Sequence, residues 1–203
     1  MTPPHEVEVA VVGAGPAGSR TAELLALQGH SVVLFERDET PGLPVHCTGI
    51  VSKDCFERYN LPGELIVRPI SSFVLRSPSG RPMNVKRHQI QAYVLDRVAL
   101  DKHLVSRATS AGAELLVSTE VQNVSWDGVG VAVTGMNAGS WFEVRARTAV
   151  IATGFGAPLA RRLGLNHVRS LVIGSQVVVE AKEVDQVEVF TGGSLGEGGF
   201  GWM

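Results

Sequence analysis

Cysteine is nearly absent from this 203-residue sequence, which has only Cys47 and Cys55. Two cysteines cannot make a disulfide framework, and without a second pair they cannot make a zinc site, so both read as free thiols. An excess of charge is missing too. Eighteen Lys and Arg stand against twenty Asp and Glu, a net of −2, which lacks the basic surplus of a nucleic-acid partner. No apolar run approaches the roughly 20 residues that span a bilayer. Met1 to Glu6 is too short and polar to open a secretory signal. These absences predict a cytoplasmic protein with no transmembrane segment. The six histidines are scattered without metal-ligand spacing, so no metal site is expected. No internal repeat or low-complexity linker breaks the chain into parts.

What is present is ordinary for a globular protein: 44% hydrophobic and 19% charged residues, at a length that allows one or two domains. Val7 to Val12 is a short apolar run of the kind buried in parallel sheets. Gly13 to Gly18 is a tight turn, Ala17 to Gln28 a helix ended by Gly29, and Ser31 to Glu36 a second buried strand. A Pro- and Gly-rich loop fills Asp38 to Gly49, and Ser52 is a helix N-cap for a short helix through Tyr59. Ser71 to Arg76 and Met83 to Arg87 flank Ser77-Pro78-Ser79-Gly80 as a hairpin. Tyr93 to Leu95 is extended, Arg97 to Ala111 helical, and Glu114 to Val117 a strand. Thr119 to Val124, Val129 to Thr134 and Trp141 to Ala146 predict an antiparallel meander. Val150 to Thr153 reads as a separate buried strand, Pro158 to Leu163 as a short helix, and Leu171 to Val179 with Val187 to Phe190 as the start of another sheet. The pattern is α/β: a Rossmann-like parallel sheet plus a three-stranded meander. The expected division puts 1–70 and 93–166 in a dinucleotide-binding domain, and 71–92 and 167–203 in the beginning of a β-rich substrate domain. Gly192 to Met203 ends on glycines and aromatics with no closing element, so the sequence reads as the front of a longer protein.

Gly13-Ala14-Gly15-Pro16-Ala17-Gly18 is a G-x-G-x-x-G hexapeptide between an apolar strand and a helix, the setting that gives the motif its mechanism. Gly13 allows the turn, Gly15 lets a pyrophosphate approach the backbone, and Gly18 lets helix and strand pack closely. The helix start offers free N–H groups and partial positive charge to phosphates. Glu36, at the end of the second strand, can accept hydrogen bonds from ribose hydroxyls and repels a 2′-phosphate. This fingerprint does not separate NAD from FAD.

Further segments carry a family resemblance: Glu36-Arg37, Pro41 to Ser52 with its Cys47-x-Gly49, Tyr93 to Arg97 with Asp101, Ala152 to Gly156, and Gly198 to Trp202. With these the chain resembles the geranylgeranyl reductase family, within the flavoprotein group that includes p-hydroxybenzoate hydroxylase. The cysteine loop is the most family-specific segment. The resemblance implies FAD, held by Gly13, Gly15, Pro16, Ala17, Gly18, Glu36 and Arg37, with Arg97 near the phosphates or ribityl chain. It implies the Val121 backbone near the adenine, and Cys47, Thr48, Gly49, Thr153 and Gly154 at the cofactor. It also implies Phe200 and Trp202 in the wall of a cavity for an apolar isoprenoid, and an external electron donor, NAD(P)H or ferredoxin-like. A peripheral place at a membrane surface goes with such a substrate. Thr153-Gly154 departs from the group's usual Asp-Gly pair, and the family's later Gly-Asp segment lies past Met203.

Each candidate has a plain structural alternative. Cys47 is either a thiol with a catalytic task beside the flavin or a small loop residue, and Cys55 reads as core. His46 adjoins Cys47, but neighbours in extended chain face opposite ways. Arg97 sits at a helix start, unfavourable for a cation, so it should have an anionic partner: a cofactor phosphate, or Asp101 at i+4. Gly192 to Gly196 matches G-x-S-x-G, but further glycines follow where that motif needs a helix, so Ser194 is no nucleophile. The reading is an FAD-dependent reductase of isoprenoid carbon–carbon double bonds. Its rivals are an FAD-dependent aromatic hydroxylase and a non-catalytic dinucleotide-binding fragment.

Overall fold

Glu6–Val12 opens the chain as strand β1, with every side chain from Val9 onward buried. Burial on both faces suits the centre of a parallel sheet, where a continuous Val/Ala run is required. In this computed structural model, which describes residues 6–155, 157–165, 173–180, 186–195 and 199–203, β1 is followed by helix α1 (Pro16–Leu27) and strand β2 (Val32–Phe35). Pro16 occupies the first turn of α1, where its missing N–H costs nothing, and Gly29 at φ +87° ends it. Next come β3 (Ile50–Ser52), α2 (Lys53–Arg58), β4 (Ile66–Ile70), β5 (Ser72–Arg76), β6 (Pro82–Lys86) and β7 (Ala92–Leu95). The chain then returns to α3 (Arg97–Ser110), β8 (Glu114–Leu116), β9 (Thr119–Trp126), β10 (Val131–Asn137), β11 (Ser140–Ile151) and α4 (Pro158–Arg162). It ends on β12 (Val187–Thr191) and β13 (Phe200–Trp202).

Two compact units result: Met1–Val45 with Arg97–His167, and His46–Asp96 with Val168–Met203. Residues 46–70 and 93–96, expected in the dinucleotide-binding domain, group with the second unit. The first unit holds a six-stranded sheet in the order β8-β2-β1-β11-β10-β9. β8, β2, β1 and β11 run parallel, while β10 and β9 complete the antiparallel meander. Val9 and Val11 of β1 pack with Ala22, Ala26, Val105 and Ala108, which puts α1 and α3 on one face. Ala10 and Val12 point the other way, among Val33, Phe35, Val133, Phe142 and Leu159. Phe35 and Phe142 stack there with centroids 5.4 Å apart.

Two expected strands are corrected. Trp141 to Ala146 and Val150 to Thr153 belong largely to one strand, β11, which ends at Ile151. Its first half pairs with β10 and its second with β1, so the intervening Arg147 to Ala149 has a parallel partner and never turns. Leu171 and Val172 lie outside the described residues. Ile173 to Val179 pairs with no described strand, and Ile173, Val177 and Val178 are exposed.

The second unit contains a three-stranded sheet, β3-β7-β4, and a four-stranded one, β13-β12-β5-β6. Ser52 caps α2 as expected, its Oγ accepting from the Cys55 N–H at 3.1 Å. Cys55 is half-buried rather than core, because α2 buries none of its residues fully.

Candidate dinucleotide site

Three chain segments leave the carboxyl ends of β1, β2 and β11 side by side, the edge where open α/β sheets take their ligands. The glycines divide the work there. Gly13 has φ +105°, and a Cβ on it would lie 2.5 Å from the Ala152 carbonyl oxygen, so a side chain is excluded twice over. A Cβ on Gly18 would fall 1.8 Å from the Gly13 carbonyl oxygen and 3.2 Å from the Ala152 side chain. Gly18 thus admits the turn itself as well as the strand. Gly15 differs: among the described residues nothing beyond its own stretch of chain lies within 4 Å of where its Cβ would be. The room at Gly15 is open, directly at the N-cap of α1, where the first-turn N–H groups have no carbonyl partner in the helix. Pro16 and Ala17 are exposed beside it.

Glu36 closes the turn from the β2 side. One carboxylate oxygen accepts the Ala14 N–H at 2.9 Å and the other accepts the Asp38 N–H at 3.0 Å. A half-buried carboxylate held by two amides keeps lone pairs for a further donor and a fixed direction for offering them. Arg37 is exposed, with Asp38 3.5 Å away.

Arg97, at the start of α3, meets Asp101: its guanidinium donates to both carboxylate oxygens at 2.9 and 3.1 Å. Of the two anionic partners considered, the protein itself supplies Asp101. Arg97 Nε is buried and has no partner among the described residues. Burial pushes the Asp101 carboxyl up, against the pull of Arg97 and with a further push from the Glu36 charge. Gly42 rides on this pair, where a Cβ would meet that of Asp101 at 3.0 Å.

β9 is the outer strand of the sheet, and its start is tied to β2 by the Thr119 N–H donating to the Glu36 carbonyl at 2.7 Å. The Glu120 carbonyl and Gln122 N–H crowd Gly135 of β10. Backbone groups alternate along a strand, so those of Val121 face the outer edge, while its side chain is buried in the core. Thr153 is half-buried against Gly13, and Gly154 is exposed at φ +71°.

In the second unit, Cys47 and Thr48 are exposed, Gly49 is buried, and the Gly49 N–H lies 3.5 Å from Cys47 Sγ. His46 is exposed as well. The four-stranded sheet has one apolar face, while its other face mixes Arg76 and Glu188 with Val74 and Phe190. Register places Phe73 and Leu75 of β5, Val187 and Val189 of β12, Met83 of β6 and Trp202 of β13 on one face. Met83, Phe200 and Trp202 are exposed there. Behind them Arg76 grips Glu188 with two hydrogen bonds of 2.6 and 2.9 Å. Gly201 faces the same way as Phe190, which leaves the aromatic pair of the tail, 5.8 Å apart, on the apolar side.

Residues 7–195 match the pyridine nucleotide-disulphide oxidoreductase family along almost the whole chain. The chain belongs to that family. Among curated relatives, digeranylgeranylglycerophospholipid reductase 1 of Methanosphaera stadtmanae is 30% identical over 98% of this chain and 51% of its own length. The digeranylgeranylglycerophospholipid reductase of Methanocaldococcus jannaschii is 28% identical over 97% and 52%. The chain therefore spans about half the length of the curated relatives it matches. A geranylgeranyl bacteriochlorophyll reductase-like protein of Thermoplasma acidophilum superposes with a TM-score of 0.80 at 25% identity, covering 98% of this chain and 53% of that one. The p-nitrophenol 4-monooxygenase of Pseudomonas putida, at 18% identity and a TM-score of 0.67 over 79% of the chain, shares the fold.

In this member of the family, sequence reasoning missed the double amide clamp of Glu36 and the position of Gly42 over Asp101. The acid at a strand end was visible, but the return of Asp38 toward it is a matter of loop conformation. No helix among the described residues is long and apolar enough to cross a membrane, and no cluster of His, Cys, Asp and Glu there could hold a metal.

Proposed function

We propose that this chain is the FAD-binding portion of a reductase that adds hydrogen across carbon–carbon double bonds of a geranylgeranyl or related isoprenoid chain. The observation that carries the reading is coverage. The geranylgeranyl bacteriochlorophyll reductase-like fold covers 98% of the chain at a TM-score of 0.80, both compact units included, whereas the monooxygenase fold covers 79% at 0.67.

The residues fit FAD. The open room at Gly15 suits a pyrophosphate, which the amides of Ala17 and Gly18, the two residues after Pro16, would meet at the positive end of α1. Glu36, already clamped, takes the adenosine ribose hydroxyls, and the outward backbone of Val121 takes the adenine edge. The free Nε of Arg97 supports its role toward phosphate or ribityl oxygens, with Arg37 flanking the same edge. Thr153 and Gly154, against Gly13, belong to the flavin side, as do Cys47, Thr48 and Gly49. Bound and reduced, FAD supplies a hydride equivalent at its N5. The protein's own task is to orient the alkene, exclude water and deliver a proton to the second carbon. Cys47 is the group we assign to that proton. Phe200, Trp202 and the apolar sheet face receive the isoprenoid, whose burial releases about 25 cal/mol per Å². An external donor, NAD(P)H or a ferredoxin-like protein, restores the reduced state, and the protein works in the cytoplasm, peripherally at a membrane surface.

Incubating the protein with reduced FAD and a geranylgeranyl glycerophospholipid tests the reading by product mass. Gain of hydrogen alone is the expected result. Gain of oxygen would replace it with hydroxylase chemistry.

A further inference from the structure

From Ile66 to Leu95 the chain carries five cations, Arg68, Arg76, Arg81, Lys86 and Arg87, and not one Asp or Glu. The other thirteen Lys and Arg share the rest of the sequence with all twenty acids. A near-neutral molecule thus concentrates positive charge in one stretch of its second unit, centred on the β5–β6 hairpin. Arg76 is spent internally on Glu188. Arg81, Lys86 and Arg87 are exposed on or beside β6, the outer strand of its sheet. The Arg81 carbonyl accepts the Ser77 N–H at 3.1 Å and the Arg87 N–H donates to the Ser71 carbonyl at 2.9 Å, so both flank the strand in the same ladder. Alternation then sets Arg81, Met83, Val85 and Arg87 in one row on the apolar face, with Lys86 on the other side. Met83 is 54% exposed between the two arginines. A guard against edge pairing needs only a Lys or a Pro, and Pro82 with Lys86 already supplies both. It does not require exposed methionine or thirty residues free of acid.

We propose that the outer strand β6, with Arg81, Lys86, Arg87 and Met83, is a docking edge for the surface of an anionic phospholipid bilayer. Cations meet the headgroup phosphates and Met83 enters the boundary below them, the pairing of charge and apolar contact that interfacial binding uses. The choice of a lipid surface rests on the isoprenoid-lipid reading, because such a substrate resides in a bilayer rather than in water.

Co-sedimentation of the flavin-free protein with vesicles of phosphatidylglycerol in phosphatidylcholine, against phosphatidylcholine alone, tests it. Binding should require phosphatidylglycerol and weaken as salt rises above roughly 0.15 M. Replacing Arg81, Lys86 and Arg87 together by Gln should cost roughly a hundredfold, at about fivefold per cation near the surface. The single change Arg87→Gln should cost about fivefold, while Lys102→Gln, on exposed α3 surface, should leave binding unchanged. Equal binding to both vesicles, undiminished binding by Arg87→Gln, or tighter binding to duplex DNA than to vesicles would overturn the proposal. Failure of the functional reading is distinguishable: vesicle binding without lipid reduction leaves the dock standing, and reduction of detergent-dispersed lipid without vesicle binding removes only the dock.

Discussion

Gly15→Ala and Gly18→Ala place the same methyl group in opposite surroundings. At Gly15 the methyl enters empty room, so the fold should lose at most about 1 kcal/mol, the scale of a changed N-cap. FAD should lose roughly tenfold or more in affinity, since hydrogen bonds to a charged group are worth about 1.5–3 kcal/mol. At Gly18 the methyl meets the Gly13 carbonyl, and overpacking of that kind costs about 1–3 kcal/mol before any cofactor is present. Urea unfolding of the two apo variants, beside flavin fluorescence titration, separates them, and matching profiles would refute the division of labour. The spacing of the three glycines was legible in the sequence because it follows from the mechanism of phosphate binding. So was the Arg97–Asp101 pair, which lies one helical turn apart. Glu36 was legible only as an acid at a strand end. Its clamp on Ala14 and Asp38 depends on backbone amides that no side-chain pattern encodes.

Among elements, the β9–β10 turn carries its own titratable lock. Asp127 accepts from the Gly130 and Val129 amides at 2.9 and 3.0 Å and pairs with Arg145. The Gly130 amide first, then that of Val129 and the Arg145 guanidinium, lower its carboxyl from 3.8 to about 2. A depressed folded-state value means that the ionised form stabilises the fold. That contribution is complete above the ordinary 3.8 and disappears as pH falls through about 2. Asp127→Ala should therefore unfold at a lower temperature than the native protein at neutral pH, with the gap closing across that acid window. A gap independent of pH would show that the turn is held by shape alone. Most elements were legible from periodicity and turn residues, α1, α2 and the β5–β6 hairpin among them. β11 was not, because Arg147 and Thr148 interrupt its apolar pattern while its backbone continues without a break. Ile173 to Val179 failed in the opposite sense: the apolar residues are there, but no described strand pairs with them.

For the whole molecule, connectivity matters more than proximity in sequence. The first unit is assembled from Met1–Val45 and Arg97–His167, so β1 has β2 on one side and β11 on the other. A protease site engineered between Ser79 and Gly80, at the exposed hairpin tip, should yield two fragments that still coelute on gel filtration under native conditions. Separate elution would mean that the β1–β11 pairing is too weak to hold the unit. The α/β class was legible from the order of elements, but the grouping of 46–96 with the chain's last residues was not, since β5 finds its parallel neighbour β12 more than a hundred positions away. The glycine turn has a history in time as well as a place. Gly13 leaves the ribosome roughly 140 residues before the Ala152 carbonyl that presses on it. At about 5–20 residues per second, some ten seconds pass during which the cradle has a floor and no back wall. FAD present during translation thus finds nothing complete to bind until β11 is out, and the protein acquires its cofactor late, after the chain that frames it.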